Sequence, residues 1–180
     1  MAIKKWKTQS EKVIFEHPRL VLIEDIVELP SGEMAQYLRF KHTHDVATVI
    51  AINQEGKILV QREYSHPPAE VLYQFPGGSV PIDEEVETGA NRELMEECGL
   101  RGKLQQIGDY YIENRRTDAK TYVFVATNLE EAHLPSDAEE FLEDEWLTEE
   151  EIDQLVQKRE FKHAYALATW TLFKAWQARD

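Results

Sequence analysis

Between two glycines, the segment from Gly78 to Leu100 sets Glu84, Arg92, Glu93, Glu96 and Glu97 at spacings that only one regular structure makes sense of. From Glu84 to Cys98 nothing but Gly89 weakens a helix, and Val86, Ala90 and Leu94 recur every fourth residue. That period predicts an amphipathic helix with one apolar stripe turned to a core. Glu93, Glu96 and Glu97 then fall at i, i+3 and i+4 on another face, three carboxylates within one turn. Like charges so placed repel, and a helix shaped for stability alone would carry Lys or Arg at one of these positions. The arrangement points to a hard divalent cation held by oxygen ligands, the alternative being an acidic, solvated helix face. Arg92, four residues before Glu96 and eight after Glu84, is placed to orient both acids by charge-assisted hydrogen bonds. Gly99 predicts a left-handed helix cap, and Pro76-Gly77-Gly78 reads as a turn whose backbone comes close to a ligand.

The rest of the chain predicts an α/β protein in two unequal parts. Val13-Ile14-Phe15, Leu20-Val21-Leu22-Ile23 and Tyr37-Leu38-Arg39-Phe40, with turns at His17-Pro18 and Pro30-Ser31-Gly32, suggest a small antiparallel sheet in residues 1–43. The remaining residues, 44–180, form the larger part. It opens with Val46–Ile52, apolar enough for a central strand, and a hairpin turn at Asn53-Gln54-Glu55-Gly56 with Lys57–Gln61 returning. Further strands are expected around Leu104–Tyr111, Thr121–Ala126 and Glu143–Leu147. Thr148 and Glu151 have the spacing of a capping box for a helix through about Val156. His163–Ala178 forms a last amphipathic helix with Leu167, Trp170, Thr171, Phe173 and Trp176 as its buried side.

Composition narrows the partners. A formal net charge of −14 opposes nucleic acid or an anionic membrane. It also opposes a phosphorylated ligand unless bound cations intervene. The single cysteine, Cys98, excludes an internal disulfide, and no run approaches the length of a membrane span, so a cytoplasmic protein is expected.

The Gly78–Leu100 spacing resembles the Nudix box, and the order of strands, box helix, strands and terminal helix resembles the Nudix hydrolase family over nearly the whole chain. The resemblance implies an α/β/α sandwich with a mixed central sheet, preceded here by a small N-terminal antiparallel sheet. Glu28–Gly32, Leu59-Val60 leading to Arg62–Pro67, Phe75–Gly78 and Thr121–Leu129 are most similar to the ADP-ribose pyrophosphatase branch. That branch implies metal-dependent hydrolysis of the diphosphate in nucleoside diphosphate sugars, with ADP-ribose giving AMP and ribose 5-phosphate. It also implies two to three Mg²⁺ or Mn²⁺ ions, a small-molecule nucleotide substrate and a homodimer in which the N-terminal strands help to enclose the nucleobase.

Carried over by position, Glu93 and Glu97 are metal ligands, Glu96 a ligand directly or through water, and the Gly77 carbonyl a further donor. Glu84 and Arg92 hold the helix and its loop in register. The general base is expected from the loop Pro135–Phe141, with Glu139 first and Glu140 second. Two departures bear on substrate. Ser65 follows Glu63-Tyr64 where the branch places a phosphate-binding arginine, and Gln74 stands where it has Glu. The branch's proline downstream of the box is also missing from Tyr111–Asp118. Arg62, Arg115, Arg116 and Lys120 are the cations available to meet phosphate, and Gln74 and Ser79 adjoin the box as pocket residues. Trp6, Phe15 and Tyr64 are candidates to stack on a purine, with packing as the alternative, and His42 and His44 read as polar surface. Hydrolysis of damaged nucleoside triphosphates with pyrophosphate release, and a nucleotide sensor without catalysis, stay open as other functions.

Overall fold

The computed structural model describes residues 3–135 and 141–179, and the chain forms two compact units. The smaller holds the residues up to Thr43 together with Glu113–Ala119. Strands β1 (Lys7–His17), β2 (Leu20–Glu28) and β3 (Met34–Phe40) make an antiparallel sheet with β2 at its centre. Ile23, Asp25 and Val27 are its buried positions, two residues apart as one strand face requires. The loop 113–119, which a division of the chain at residue 43 leaves with the later part, is tied to this sheet. Phe40 N donates to Arg116 O at 2.6 Å, and the Tyr37 hydroxyl donates to Arg115 O at 2.6 Å.

The larger unit holds His44–Ile112 and the chain from Lys120 onward. Its elements are β4 (His44–Ala51), β5 (Ile58–Ser65), β6 (Glu70–Gln74), β7 (Gly77–Pro81), α1 (Val86–Cys98), β8 (Leu100–Tyr110), β9 (Thr121–Glu131), β10 (Leu142–Leu147), α2 (Glu149–Gln157) and α3 (Ala164–Gln177). One sheet has the order β7-β4-β9-β8 and is mixed, because β4 and β9 run parallel. The other is antiparallel with the order β10-β5-β6. Alternate residues of β4 feed two cores. Ala47, Val49 and Ala51 pack with Val80, Phe124 and the α1 residues Ala90 and Leu94. Ile50 packs with Val60, Phe75, Ile152 of α2, and Trp170 and Phe173 of α3. A strand buried on both faces needs a layer of helix on each side, and the result is the expected α/β/α sandwich.

One local expectation is narrowed and two are corrected. Asn53–Gly56 is a turn, with Asn53 Oδ1 accepting from the amides of Glu55 and Lys57, each at 2.9 Å. It closes a hairpin of a single antiparallel bridge, Ile52–Ile58, with the Asn53 amide donating to Lys57 O at 2.9 Å; beyond it β4 and β5 enter different sheets, since both edges of β4 are taken by β7 and β9. Gly77-Gly78 is not a turn but the start of β7, paired with Thr48 and Ala47. On α3 the buried face is Ala166, Thr169, Trp170 and Phe173, while Thr171 is exposed and its hydroxyl donates to Leu167 O at 2.8 Å. The helix is apolar on more than one side, so its period alone leaves its rotation open.

Candidate active site

Helix α1 is held by Ala90 and Leu94, both fully buried, and it ends as the sequence demands, at Gly99 with φ 65°. With that stripe inward, Glu93 is carried to a position only 8% exposed, costly for a carboxylate unless it is paired. Arg92 supplies the pairing. Its Nε and Nη2 donate to the two oxygens of Glu84 at 3.1 and 3.0 Å, a bidentate fork. Its Nη1 donates to Glu93 Oε1 and to Glu96 Oε2, both at 2.8 Å, and Nη2 also reaches Ser79 O at 2.9 Å. The hydrogen bonds it donates to Glu84, opposed by burial and reinforced by Glu93 and Glu96, push the guanidinium well above its ordinary range. Arg92 thus gathers three acids and one strand carbonyl around a single planar cation, a geometry lysine does not reproduce.

Glu97 leans the other way and accepts from the Gly77 amide at 2.9 Å, joining the C-terminal turn of α1 to the first residue of β7. Gly77 has φ 146°, a conformation left to glycine, and any β-carbon there would lie 2.1 Å from Ala47 O. Gly78 is required for another reason: a β-carbon would fall 2.5 Å from Glu93 Oε2. The Glu93 carboxylate therefore occupies the space a side chain at 78 would fill.

Glu93 and Glu96 share one hydrogen-bond partner, while Glu97 takes another. Among the described residues no three His, Cys, Asp or Glu side chains gather closely enough to hold a metal ion. Glu93 and Glu96 are turned onto Arg92 and Glu97 onto a backbone amide, because each carboxylate takes the nearest donor. The donor set nonetheless suits a hard divalent cation: it is all oxygen, Glu93, Glu96 and Glu97 lie within about one turn of α1, and three carboxylates, those of Glu84, Glu93 and Glu96, surround one guanidinium.

The other expected site residues are dispersed. In the larger unit, Arg62 pairs with Glu143 at 3.2 Å and Glu145 at 3.7 Å and lies over the Tyr73 ring. Gln74 donates to Glu63 Oε2 at 2.9 Å, and Ser79 serves α1 through its carbonyl. Lys120 pairs with Asp109 at 3.0 Å. In the smaller unit, Arg115 and Arg116 border a cavity of about 430 Å³ with Trp6, Tyr37 and Arg39. Trp6 meets Tyr37 edge to face, while Phe15 and, in the larger unit, Tyr64 are half-exposed. His42 faces Asp118 at 3.5 Å. Glu139 and Glu140 lie outside the described residues.

Two features of the larger unit escape a sequence reading. Gln61, fully buried, donates to Asp144 Oδ1 at 3.2 Å and to Cys98 Sγ at 3.3 Å. Burial, then the charges of Asp144 and Glu97, push the Cys98 thiol far up, so it stays protonated and is no nucleophile. The one signal was a glutamine closing the apolar run Ile58-Leu59-Val60. His163, at the N-cap of α3, has its Nδ1 buried without a hydrogen-bond partner, and nothing in its local sequence marks it.

Comparison with known proteins fits this architecture. The NUDIX domain model matches residues 42–170. The ADP-ribose pyrophosphatase of Bacillus subtilis (strain 168) is 34% identical over 96% of this chain and 96% of its own length. The methanol dehydrogenase activator of Bacillus methanolicus is 28% identical over 88% of this chain and 85% of its own. A crystal structure of an ADP compounds hydrolase superimposes with a TM-score of 0.89, covering 99% of this chain and 97% of that one at 20% identity, a likeness of fold.

Proposed function

Because the chain belongs to the Nudix hydrolase family, we propose that this pyrophosphohydrolase cleaves the diphosphate linkage of nucleoside diphosphate sugars, with ADP-ribose as substrate and AMP and ribose 5-phosphate as products. The observation that carries the reading is the full-length similarity to a protein of that activity, joined to an acid set in which no position of the box is lost.

Water attacks a phosphorus of the diphosphate and the bridging oxygen leaves with the other half. Bound divalent ions, which the family uses, would neutralise the diphosphate and acidify the attacking water; we assign Glu93, Glu96, Glu97 and the Gly77 carbonyl as the groups that would hold two or three Mg²⁺ or Mn²⁺. Arg92 is the positioning residue: it holds Glu84 and the 79 carbonyl on one side and Glu93 and Glu96 on the other, so the loop and the helix keep one register. Glu139, with Glu140 second, is assigned as the base on the family resemblance. Arg115 and Arg116 bordering the cavity with Trp6 and Tyr37 supports nucleotide recognition in the smaller unit, and Arg62, Gln74 and Ser79 are assigned to the substrate side of the larger. Phe15, Leu20, Met34 and Leu38 leave apolar surface on the N-terminal sheet, which supports a homodimer built on it. No helix among the described residues is long and apolar enough to cross a membrane; a cytoplasmic location is assigned from composition.

The test is a substrate panel of ADP-ribose, other nucleoside diphosphate sugars, dinucleotides and triphosphates at millimolar Mg²⁺, with and without chelator, products identified by mass. AMP plus ribose 5-phosphate, abolished by chelator, is expected. Pyrophosphate released from a triphosphate, with ADP-ribose untouched, would overturn the reading in favour of nucleotide clearance. Light scattering tests the dimer: a monomer mass at micromolar concentration rejects it.

A further inference from the structure

Strand β5 alternates between two cores. Ile58 and Val60 pack with residues of α2 and α3, while Leu59 packs with Leu94 of α1. The next position on the Leu59 face is Gln61, an amide where an apolar side chain would continue the stripe. Gln61 is fully buried, and its Oε1 has no hydrogen-bond partner in the protein. An atom left so costs about 1–3 kcal/mol. The amide nitrogen, in contrast, is committed twice, to Asp144 Oδ1 at 3.2 Å and to Cys98 Sγ at 3.3 Å. One nitrogen therefore joins three elements: β5, β10 through the directly opposite residue Asp144, and the last residue of α1.

Cys98 is the chain neighbour of Glu97, whose carboxylate accepts from the Gly77 amide. A slide or rotation of the last helical turn moves both residues together. Arg92 gathers Glu93 and Glu96 from the middle of the helix, but the last turn has no basic residue of its own. What reaches that turn from the other sheet is Gln61.

We propose that Gln61 and Asp144 are positioning residues for the metal centre, their bridge to Cys98 fixing the last turn of α1 so that Glu97 stands where a divalent cation needs it. The role rests on the assignment of the metal to Glu93, Glu96 and Glu97 above. Stability alone does not account for the bridge. A methionine at 61 would fill the same length with no unpaired atom, whereas a satisfied donor sets distance and direction in a way apolar contact does not. Burial raises the Asp144 carboxyl and the hydrogen bond from Gln61 opposes it, so the donor favours the ionised form, which only accepts.

The experiment measures Mn²⁺ affinity in the full-length protein from the electron paramagnetic resonance signal of the free ion, together with the melting temperature and the Mg²⁺ concentration for half activity on ADP-ribose. Gln61→Met removes both the donor and the unpaired acceptor. It should weaken Mn²⁺ binding and raise the half-activating Mg²⁺ by about 10- to 100-fold, with the melting temperature unchanged or higher. Cys98→Ala should match it, and Cys98→Ser, whose hydroxyl accepts a hydrogen bond, should recover most of the loss. Asp144→Asn keeps an acceptor oxygen and should stay close to the unmodified protein, while Asp144→Ala should fall with Gln61→Met. The double variant Gln61→Met/Asp144→Ala should be no weaker than either single one, because both break the same bridge. Unchanged Mn²⁺ affinity in folded Gln61→Met overturns the proposal. Equal losses in Asp144→Asn and Asp144→Ala do so as well, since charge and not the bridge would then be the cause. Should Gln61→Met fail to fold, Cys98→Ala decides by the same criterion. Glu97→Gln separates this proposal from the assignment beneath it. Unchanged Mn²⁺ affinity there removes the metal assignment and the bridge with it, whereas a loss there beside full affinity in Gln61→Met removes the bridge alone.

Discussion

Two helices of this chain are crowded with glutamate, α1 and α2, and their acids behave in opposite ways. In α2 the glutamates 149, 150 and 151 occupy the first turn, where the helix dipole and the unpaired amides favour negative charge. Thr148 Oγ1 accepts from the Glu151 amide, and Glu151 Oε2 accepts from the Thr148 amide at 2.8 Å, a complete capping box. Glu149 adds an ion pair to Lys174 of α3 at 2.8 Å. In α1 the acids 93, 96 and 97 sit in the later half, with no basic residue in the last turn to offset the dipole. One of them is nearly buried. Acid density is thus common to a structural helix and a candidate catalytic one. The difference lies in which end of the helix carries it, because at the C-terminal end the charge works against folding.

That contrast can be broken by substitution. The largest effect is expected for Glu97→Gln, with turnover of ADP-ribose reduced on the order of 10³-fold and no fall in melting temperature, since a charge unfavourable to the helix is removed. Glu150→Gln in α2 should leave turnover unchanged; loss of activity in both variants would mean the two acid clusters do not differ in role. Arg92→Lys should reduce activity or raise the metal concentration needed for half activity by about 10- to 100-fold, because an ammonium cannot hold Glu84, Glu93 and Glu96 at once. A Mg²⁺ titration at saturating substrate measures it.

Gly78→Ala places a β-carbon on the Glu93 carboxylate. We expect a loss of roughly tenfold or more in kcat with the circular dichroism spectrum preserved, whereas Gly56→Ala, whose β-carbon meets nothing, should lose stability through its φ of 76° and leave kcat unaffected. For α2 the sign reverses: Thr148→Ala should cost about 1 kcal/mol of stability and no activity, read by denaturant unfolding.

The smallest effect is in pH dependence. Hydrogen bonds from the Thr148 backbone and side chain hold the Glu151 carboxyl below its ordinary range. Its contribution is therefore complete above the unfolded-state pKa and fades as pH falls through the lowered folded-state value. Thr148→Ala should flatten that part of the acid limb. An unchanged acid limb would show that the box does not couple Glu151 to folding.

Much of this was legible in sequence because it is local. The α1 stripe, the Gly99 cap and the Thr148–Glu151 box each depend on residues within about one turn of one another, so spacing and side-chain type suffice. What could not be read depends on distant partners. Asn53–Gly56 turns the chain back between two apolar runs, yet the pairing stops after one bridge, because β4 already has neighbours on both edges and β5 must join another sheet. Thr171 and Thr169 differ by two positions on α3, and only the packing of Trp170 and Phe173 into the core decides which faces inward.

The chain's own residues determined the helix of the box, the acids it carries and the glycines that let it approach β7. They did so because helical period and left-handed backbone are properties of neighbouring residues. Tertiary structure alone decided that Glu93 and Glu96 are turned onto Arg92 while Glu97 reaches the Gly77 amide. It alone brought His163, at the N-cap of the last helix, to one cavity of about 140 Å³ with Gln74 and Gly77. The contacts of Glu97 with Gly77 and of His163 with that cavity join elements far apart in the chain, and their geometry follows from how the sheets and helices of the larger unit pack around two cores.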